Sequence, residues 1–416
     1  MLLRFRTANV RSLRDEQELS FVAPPSEAAA SARTVETGAG EDIDVYPVLG
    51  IFGANASGKS NVLTAMVQMR NAVLNSYAQW ASYRGIPREV FALDAKAVEE
   101  SSFFEVDVLL DGVRWTYGFE LGPERVTGEW LHSYPQGRRQ VWMDRDVERE
   151  DEFRFPGTRI KDRARLARTT RPNALFLSRA ATDNHPQLLP LFYWFQRNLW
   201  LINPEDDRSQ REAYTAQQLS SVRRERIEEL LRVADLGITG VRIDPRADAE
   251  GRVQLLHEGH QGTAAAFDWE HESFGTRSWF ALLGPVLLAL DEGAVLLLDE
   301  LDSSLHPRMA AEVIRLFRDP MVNAGGAQLV FTTHDVAVLQ TPAGVRLLDP
   351  GQIWLTEKDR TGATELYPLT AAEPGEEEDL PRSYLSGAFG GVPAVTEGQV
   401  GRRLLATQER EAAEHV

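Results

Sequence analysis

The sequence predicts an α/β protein in which a strand–loop–helix core is interrupted by an antiparallel β subdomain and a helical insertion. First, the buried strand "VYPVLGIF" (45–52) runs into a glycine-rich loop (53–60) and then into a helical apolar pattern. Second, alternating apolar and polar residues on both sides of Asp111-Gly112 are typical of a hairpin. Third, helical spacing dominates residues 158–240, including the aromatic run 187–202.

These patterns divide the chain into segments. We assign the N-terminal part of the core to 1–87, the antiparallel β subdomain to 88–157 and the mainly helical insertion to 158–270. The C-terminal part of the core occupies 271–370, and an acidic tail follows at 371–416. The core is therefore predicted to be split in sequence and assembled in space.

The composition excludes several kinds of site. The chain has no cysteine, which rules out disulfides, thiol catalysis and cysteine-ligated zinc. Its formal net charge of −17 disfavours nonspecific binding of duplex nucleic acid over the whole surface, because such binding needs a basic face. Residues 1–13 lack a signal-peptide pattern, and the longest apolar run (279–290) is shorter than the roughly 20 residues that span a bilayer. We therefore expect a cytoplasmic protein without a membrane partner.

The glycine loop "GANASGKS" (53–60) matches G-x-x-x-x-G-K-S in full. Glycines let backbone N–H groups surround phosphate oxygens, and the helix that follows adds its partial positive charge. Lys59 is expected to reach the β- and γ-phosphates of ATP, and the Ser60 hydroxyl to bind Mg²⁺. A chance glycine turn is the alternative, but a complete match between strand and helix favours nucleotide binding. The expected nucleotide contacts from this loop are Gly53, Ala54, Asn55, Ala56, Ser57, Gly58, Lys59, Ser60 and Asn61.

An acidic pair ends a second apolar strand, "AVLLLDE" (294–300). Asp299 is expected to hold Mg²⁺, and Glu300 to polarise the attacking water as a general base. A buried strand that ends in two exposed acids would have the same sequence. Together with the glycine loop, however, the pair predicts a site for ATP hydrolysis.

Three further motifs follow in a fixed order. "ESFGTRSWFALL" (272–283) opens an apolar helix before the acidic pair, "LDSSLHP" (301–307) follows the pair, and "LVFTTHD" (329–335) is a strand that ends near His334. This order resembles that of the ABC-type ATPases. The resemblance implies an ABC-type P-loop ATPase core that carries the antiparallel β subdomain and the helical insertion.

The same resemblance implies roles for individual residues. Ser273 and Gly275 match the serine and glycine of the signature motif, although "SFGTR" stands where "SGGQ" is common. Ser303 and Ser304 fall in the D-loop, and His334 matches the switch histidine, which would act in catalysis with Glu300 and Lys59. Without the resemblance, Ser273 would be explained as a helix N-cap and His334 as a structural histidine.

A homo-oligomer follows from the signature assignment. In ABC-type ATPases the signature serine contacts the nucleotide that is bound to the other subunit. The resemblance therefore implies a head-to-tail dimer, or a higher assembly, in which two chains enclose two ATP molecules. Hydrolysis of the ATP would then release the dimer.

The N-terminal stretch "NVRSLRDEQELSF" (9–21) resembles the start of SMC-like and OLD-like ATPases. That resemblance implies that Asn9 and Arg11 lie near the nucleotide. No heptad pattern for long coiled-coil arms is present, and too few residues follow His334 for the TOPRIM nuclease domain of OLD proteins. The chain is therefore expected to lack a fused nuclease.

Later segments resemble stand-alone ATPases of bacterial abortive-infection and anti-phage defence. The segments are "LFLSRAA" (175–181), "QIWLTEKDRTGATELYPL" (352–369) and "YLSGAFGGVPAV" (384–395). The resemblance implies a sensor or regulatory ATPase that controls a separate effector nuclease. An SMC-like DNA repair or recombination ATPase acting directly on DNA is the alternative.

Two assignments stay open from the sequence. The basic stretch "TRIKDRARLARTTR" (158–171) could contact nucleic-acid phosphate or form a solvated helix face. The glutamine that links nucleotide to the inserted lobe in related ATPases has no clear counterpart, although Gln187 lies in a plausible region.

Overall fold

The computed structural model describes most of the chain. The residues it describes are 1–24, 31–40, 42–203, 208–234, 237–243, 253–260, 263–303, 305–341, 344–375, 378–393 and 398–414. Ser304 of the predicted D-loop, residues 376–377 of the acidic tail and residues 394–395 of the last motif lie outside them.

The described residues form eighteen strands and ten α-helices. The strands are β1 Leu2–Ala8, β2 Gln17–Ser20, β3 Arg33–Glu36, β4 Asp42–Val45, β5 Val48–Gly53, β6 Ser102–Leu110, β7 Val113–Leu121, β8 Val126–Tyr134, β9 Gln140–Asp146, β10 Phe153–Arg154, β11 Leu199–Ile202, β12 Ile238–Ile243, β13 Val253–Glu258, β14 Ala264–Asp268, β15 Val295–Leu298, β16 Gln328–Thr333, β17 Ile353–Lys358 and β18 Thr364–Pro368. The helices are α1 Lys59–Gln79, α2 Arg163–Thr169, α3 Phe176–Thr182, α4 Leu189–Asn198, α5 Arg208–Gln218, α6 Arg224–Ala234, α7 Phe274–Glu292, α8 Pro307–Arg318, α9 Leu380–Leu385 and α10 Gln399–Glu414.

The central sheet has the order β11-β15-β16-β5-β17-β18. All neighbours in it are parallel except β17 and β18, which form an antiparallel pair. Because β5, β15 and β16 run in the same direction, the glycine loop, the acidic pair and His334 all follow the same edge of the sheet. The split core predicted from the sequence is therefore assembled as expected.

The second large sheet is antiparallel, with the order β10-β9-β8-β7-β6-β1-β2. β6 and β7 form the predicted hairpin, and Asp111 and Gly112 at its tip have φ angles of 49° and 74°. Two positive φ angles at a two-residue turn match the right-handed twist of the strands. The N-terminal strands β1 and β2 extend this sheet, so the first residues of the chain contribute to the β subdomain as well as leading to the core.

Helix α1 packs between the two sheets. Its buried residues, among them Leu63 and Met66, share one hydrophobic core with Phe119 of the antiparallel sheet and with Ile51 and Leu297 of the central sheet. The opposite face of the central sheet, including Phe52 of β5 and Leu298 of β15, packs in a second core with α7 and α8. The central strands are therefore buried on both faces, which explains why they are almost entirely apolar in sequence.

The insertion departs from the predicted helical pattern. Helices α2 to α6 are present, but residues 199–202 of the aromatic run form β11, which pairs with β15 at the edge of the central sheet. After the helices, the predicted hairpin in residues 241–259 is present, since β12 and β13 pair antiparallel, and β14 completes a separate three-stranded sheet. The short apolar run "LWLI" continues directly from α4, so periodicity alone does not separate it from the helix.

The apolar run 279–290 lies within α7, where most of its side chains are buried in the second core. Across the described residues, none of the helices combines the length and the apolarity needed to cross a bilayer.

Candidate functional site: a glycine loop facing an acidic strand end

The glycine loop connects β5, which ends at Gly53, to α1, which begins at Lys59. A Cβ atom on Gly53 would overlap the hydroxyl of Thr356, and one on Gly58 would overlap that of Thr364. Gly58 also has a φ of 108°, which side chains rarely tolerate. The two motif glycines are thus required by close packing against the β17–β18 hairpin.

Lys59 folds back over the loop. Its Nζ donates hydrogen bonds to the carbonyl oxygens of Gly53 at 2.9 Å and Ala54 at 3.1 Å. Burial lowers the pKa of Lys59, and the nearby carboxylates of Asp302, Glu300 and Asp299 oppose that shift. The ammonium group therefore lies within the electrostatic reach of several acids at the mouth of the loop.

Ser60 and Asp299 lie side by side. The Ser60 hydroxyl donates to Asp299 Oδ1 at 2.9 Å, and the Thr332 hydroxyl donates to the same oxygen at 2.6 Å. A hydroxyl and a carboxylate are the oxygen ligands that Mg²⁺ accepts when phosphate and water complete its shell. Within the described part of the chain no group of three or more acidic or histidine side chains could hold a metal, so such a site would depend on nucleotide oxygens. The donor set fits a nucleotide-bound Mg²⁺.

Glu300 follows Asp299 in a left-handed conformation, with a φ of 49°. Its backbone N–H donates to the Thr332 hydroxyl at 2.8 Å, and Leu301 N–H donates to the Thr332 carbonyl at 3.0 Å. A left-handed backbone costs a side-chain-bearing residue roughly 1–2 kcal/mol, so it persists only where surrounding bonds enforce it. Thr332 supplies those bonds and fixes the turn that carries Glu300.

His334 extends from the end of β16 and is 58% exposed. Its Nδ1 lies 3.0 Å from Oδ2 of Asp302, whose side chain is 7% exposed. The sequence motifs do not single out Asp302, and the signal that indicates it is a third carboxylate after the acidic pair in "DELD" (299–302).

Comparison with known proteins identifies the family. Residues 48–340 match the family described as "AAA domain, putative AbiEii toxin, Type IV TA system". The chain belongs to this AAA family. The matched segment contains the glycine loop, the acidic pair, Asp302 and His334. No curated protein matches the sequence.

Several solved structures are similar to this AAA-family chain. The SMC head domain from Thermotoga maritima has 15% sequence identity and a TM-score of 0.43, with 88% of this chain and 98% of that chain covered. An SMC head bound to the C-winged helix domain of ScpA has 14% identity and a TM-score of 0.46, with 89% and 99% covered. The Smc head domain with a coiled coil and joint from Pyrococcus yayanosii has 12% identity and a TM-score of 0.43, with 93% and 99% covered.

The AAA family and the fold agree with the predicted class. The core is an α/β P-loop ATPase core with an antiparallel β subdomain and an insertion between its two halves, and its motifs follow the ABC-type order. Beyond His334 the described residues form β17, β18, α9 and α10, and none of these elements forms a nuclease domain.

Ser273 and Gly275 lie at the exposed N-terminus of α7 in this AAA domain. Ser273 caps the helix, since its Oγ accepts from Thr276 N–H at 3.0 Å and lies 2.8 Å from the Thr276 hydroxyl. Among the described residues, no hydrogen bond joins Ser273 or Gly275 to the glycine loop. Within one chain the structure therefore supports the N-cap role of Ser273.

The N-terminal residues Asn9 and Arg11 have different surroundings. Asn9 is buried, and its amide donates to the Ala97 carbonyl at 2.7 Å and accepts from Phe91 N–H at 3.1 Å. Its side chain therefore holds the segment that precedes β6 and is not directed to the loop. Arg11 pairs with Glu89 and lies beside the first turns of α1, where its guanidinium approaches Asn61 Oδ1 at 3.4 Å.

A hydroxyl network that the sequence did not indicate surrounds the glycine loop. The Ser57 hydroxyl lies 2.6 Å from that of Thr356, and the Thr364 hydroxyl donates to the Ser57 carbonyl at 2.8 Å. Ser12 contacts the Thr364 hydroxyl at 2.8 Å and accepts from the Asn61 amide at 2.6 Å. The residues come from three distant segments, so no local motif contains them.

Gln187 does not lie at the functional edge of the sheet. It precedes α4, and its side-chain oxygen accepts from Lys161 N–H at 3.2 Å. The strand that flanks β15 is β11, and Asp299 N–H bonds to the Ile202 carbonyl at its end at 2.9 Å. Asn203 follows β11 directly in sequence.

The basic stretch 158–171 bonds largely within the chain. Arg165 pairs with Asp183 at 2.7 Å, and Arg163 donates to the Gly157 carbonyl. Arg171 stacks over the Tyr77 ring at 4.5 Å while donating to backbone carbonyls of α1. These contacts favour a structural role for the stretch over a dedicated phosphate-binding face.

Proposed function

We propose that this protein is an ATP-binding and ATP-hydrolysing molecular switch. The observation that carries the proposal is the 2.9 Å contact of Ser60 with Asp299, in a loop whose lysine lies near Glu300. These groups come from the two halves of the core, and they match the parts that P-loop ATPases use for Mg²⁺–ATP.

Each side chain has a proposed role in the reaction. The loop N–H groups and Lys59 bind the phosphates, while Ser60 and Asp299 hold Mg²⁺. When bound, Mg²⁺ neutralises charge on the β- and γ-phosphates. Glu300 accepts the proton of the attacking water, and its turn is fixed by Thr332. Conformational switching, without phosphorylation of another substrate, is the proposed use of the ATP.

The proposed assembly is a head-to-tail homodimer or a larger oligomer. Support comes from the exposed N-terminus of α7, where Ser273 and Gly275 face solvent. Backbone N–H groups at a helix N-terminus favour phosphate. In the assembly, this end of one chain meets the nucleotide on its neighbour.

The proposed biological role is that of a sensor or regulatory ATPase in anti-phage defence of the abortive-infection type, which controls a separate effector nuclease. Support comes from the family description, which names a putative AbiEii toxin and a type IV toxin–antitoxin system. The net charge of −17 disfavours direct nonspecific binding of duplex DNA and so favours a protein effector.

The test combines binding and hydrolysis. The purified chain should bind ATP in the presence of Mg²⁺ and release phosphate, and Lys59→Ala should abolish nucleotide binding. Lys358→Ala is a matched control, because Lys358 is exposed at the end of β17. Equal ATP binding by Lys59→Ala and the native chain would reject the assigned site. Co-purification with the product of a neighbouring gene, with and without ATP, tests the effector.

A further inference from the structure

Asp302 contacts the switch-position histidine directly. Its Oδ2 lies 3.0 Å from Nδ1 of His334, which follows β16 at the same sheet edge as the acidic pair. Asp302 lies in the turn that begins at Glu300, so one short segment supplies both the proposed base and a partner for the histidine. The roles assigned above leave this pair unexplained.

The burial of Asp302 indicates that the pair is more than a surface contact. The side chain is 7% exposed, and its other oxygen, Oδ1, is buried without a hydrogen-bond partner among the described residues. Burying a carboxylate costs several kcal/mol unless other groups compensate. Of the three carboxylates that oppose the lowered pKa of Lys59, that of Asp302 contributes most. Asp302 is thus linked electrostatically to the phosphate-binding lysine and bonded to the histidine.

The contact with Asp302 determines the tautomer of the His334 imidazole ring. Which ring nitrogen carries the proton is set by the hydrogen bond that the other nitrogen makes. A carboxylate only accepts, so Nδ1–H must donate to Asp302, and Nε2 is the nitrogen left for other partners. His334 is 58% exposed, and without Asp302 its ring would have few contacts to hold one orientation.

We propose that Asp302 is a positioning residue, which holds the His334 ring with Nδ1 protonated and Nε2 presented to the γ-phosphate of bound ATP. The inference rests on the proposed function and deepens it. Asp302 itself does not touch the reacting atoms.

The kinetic test compares Asp302→Ala with the native chain. We expect kcat for ATP hydrolysis to fall by about tenfold to a hundredfold, by analogy with metal-binding histidines, where removing the partner that orients the ring has an effect of that size. KM for ATP should change by less than about twofold, because the phosphates keep their own contacts. In a His334→Ala background, Asp302→Ala should cause no further loss, since its effect acts through the ring.

The matched control is Asp335→Asn. Asp335 is the carboxylate next to His334 in sequence, and it caps the following turn by accepting from Ala337 N–H at 2.8 Å. An asparagine keeps that acceptor and removes the charge. Asp335→Asn should leave kcat near the native value. That result would show that the loss in Asp302→Ala comes from its contact with His334 and not from the removal of a nearby negative charge.

A spectroscopic test does not depend on activity. In ¹⁵N-labelled protein at a pH where the ring is neutral, the His334 signal should report Nδ1 as the protonated nitrogen. Asp302→Ala should shift the ring toward the Nε2–H form. Asp302→Asn, which preserves the side-chain shape, should weaken the preference for Nδ1–H and replaces the alanine variant in this test if that variant fails to fold.

The outcomes separate this inference from the proposed function. An inactive native chain would reject the proposed ATP hydrolysis. The tautomer measurement would still show whether Asp302 determines which nitrogen of His334 is protonated. Native-like kcat for Asp302→Ala, additive losses in the double variant, or an unchanged tautomer would each overturn the positioning role.

Discussion

Ser60 and Asp299 are 239 residues apart in sequence, yet the serine hydroxyl donates a 2.9 Å hydrogen bond to the carboxylate. The contact joins the start of α1 to the end of β15, and it brings together the two oxygen ligands proposed for Mg²⁺. Replacing Asp299 by asparagine should therefore raise the Mg²⁺ concentration needed for half-maximal ATP hydrolysis by tenfold or more, roughly 1.4 kcal/mol of binding free energy. Asp15→Asn, on an exposed residue, is the control. Equal Mg²⁺ dependence of hydrolysis in the two variants would show that Asp299 is not a Mg²⁺ ligand.

Glu300→Gln should keep ATP bound and trap the closed assembly. Glutamine retains the shape of the side chain but does not accept a proton, so hydrolysis should fall by about a hundredfold or more. Light scattering after size-exclusion chromatography should then detect an ATP-dependent oligomer that the native chain forms only transiently. Comparable hydrolysis by variant and native protein would exclude Glu300 as the base.

Ser273→Arg should abolish hydrolysis and ATP-dependent assembly while leaving ATP binding to the isolated chain intact. The arginine would block the exposed start of α7, which is proposed to meet the neighbouring nucleotide. It also removes the N-cap bond to Thr276, which costs about 1 kcal/mol of stability. Ser273→Asp keeps a capping acceptor and should fold like the native chain, but its charge should repel phosphate. Intact assembly in both variants would reject the composite site.

Gly58→Ala should destabilise the fold and abolish nucleotide binding together. Gly58 has a φ of 108°, and an added Cβ would overlap the Thr364 side chain. The expected loss is about 1–3 kcal/mol of unfolding free energy, measured by denaturant titration. Gly240→Ala is a suitable comparison, because a Cβ there meets only Leu256 at 3.7 Å. Similar losses for the two variants would contradict the role of close packing at the loop.

Stability should fall as the pH is lowered from about 6.5 toward 4. Burial, with a further contribution from the Arg139 charge, lowers the pKa of His132 from its ordinary value near 6.5 to about 4. Below pH 6.5 the unfolded chain therefore binds a proton that the folded chain does not, and unfolding becomes easier until the folded residue also titrates. His132→Gln should flatten this dependence between pH 7 and pH 5 in denaturant unfolding. An unchanged slope would show that other groups dominate it.

The parts predicted best from the sequence are those in which chemistry and local structure coincide. The glycine loop follows a buried strand and opens a helix, so one contiguous pattern contains the whole element. Asp299 and Glu300 likewise end an apolar strand, and α7 begins where Ser273 indicated. Contiguous motifs of this kind need no knowledge of tertiary contacts.

The features of the site that sequence patterns do not indicate depend on contacts between distant segments. Thr356 and Thr364 lie on a hairpin some 300 residues after the glycine loop that they support. The resemblance of the opening motif predicts that Asn9 lies near the nucleotide, while in the structure its amide bonds to the backbone of residues 91 and 97, which precede β6. The sequence predicts helix at β11, because a four-residue apolar run has no period of its own.

Helix α1 shares its hydrophobic core with both large sheets, and this has a consequence for how the chain can be divided. Most strands of the antiparallel sheet, β6 to β10, occupy one continuous stretch of sequence, yet excising them would remove Phe104 and Phe119 from the hydrophobic core that they share with α1. Neither the nucleotide-binding half nor the β subdomain should therefore survive limited proteolysis as an independent fragment. The two sheets and the helix between them should melt as a single cooperative unit.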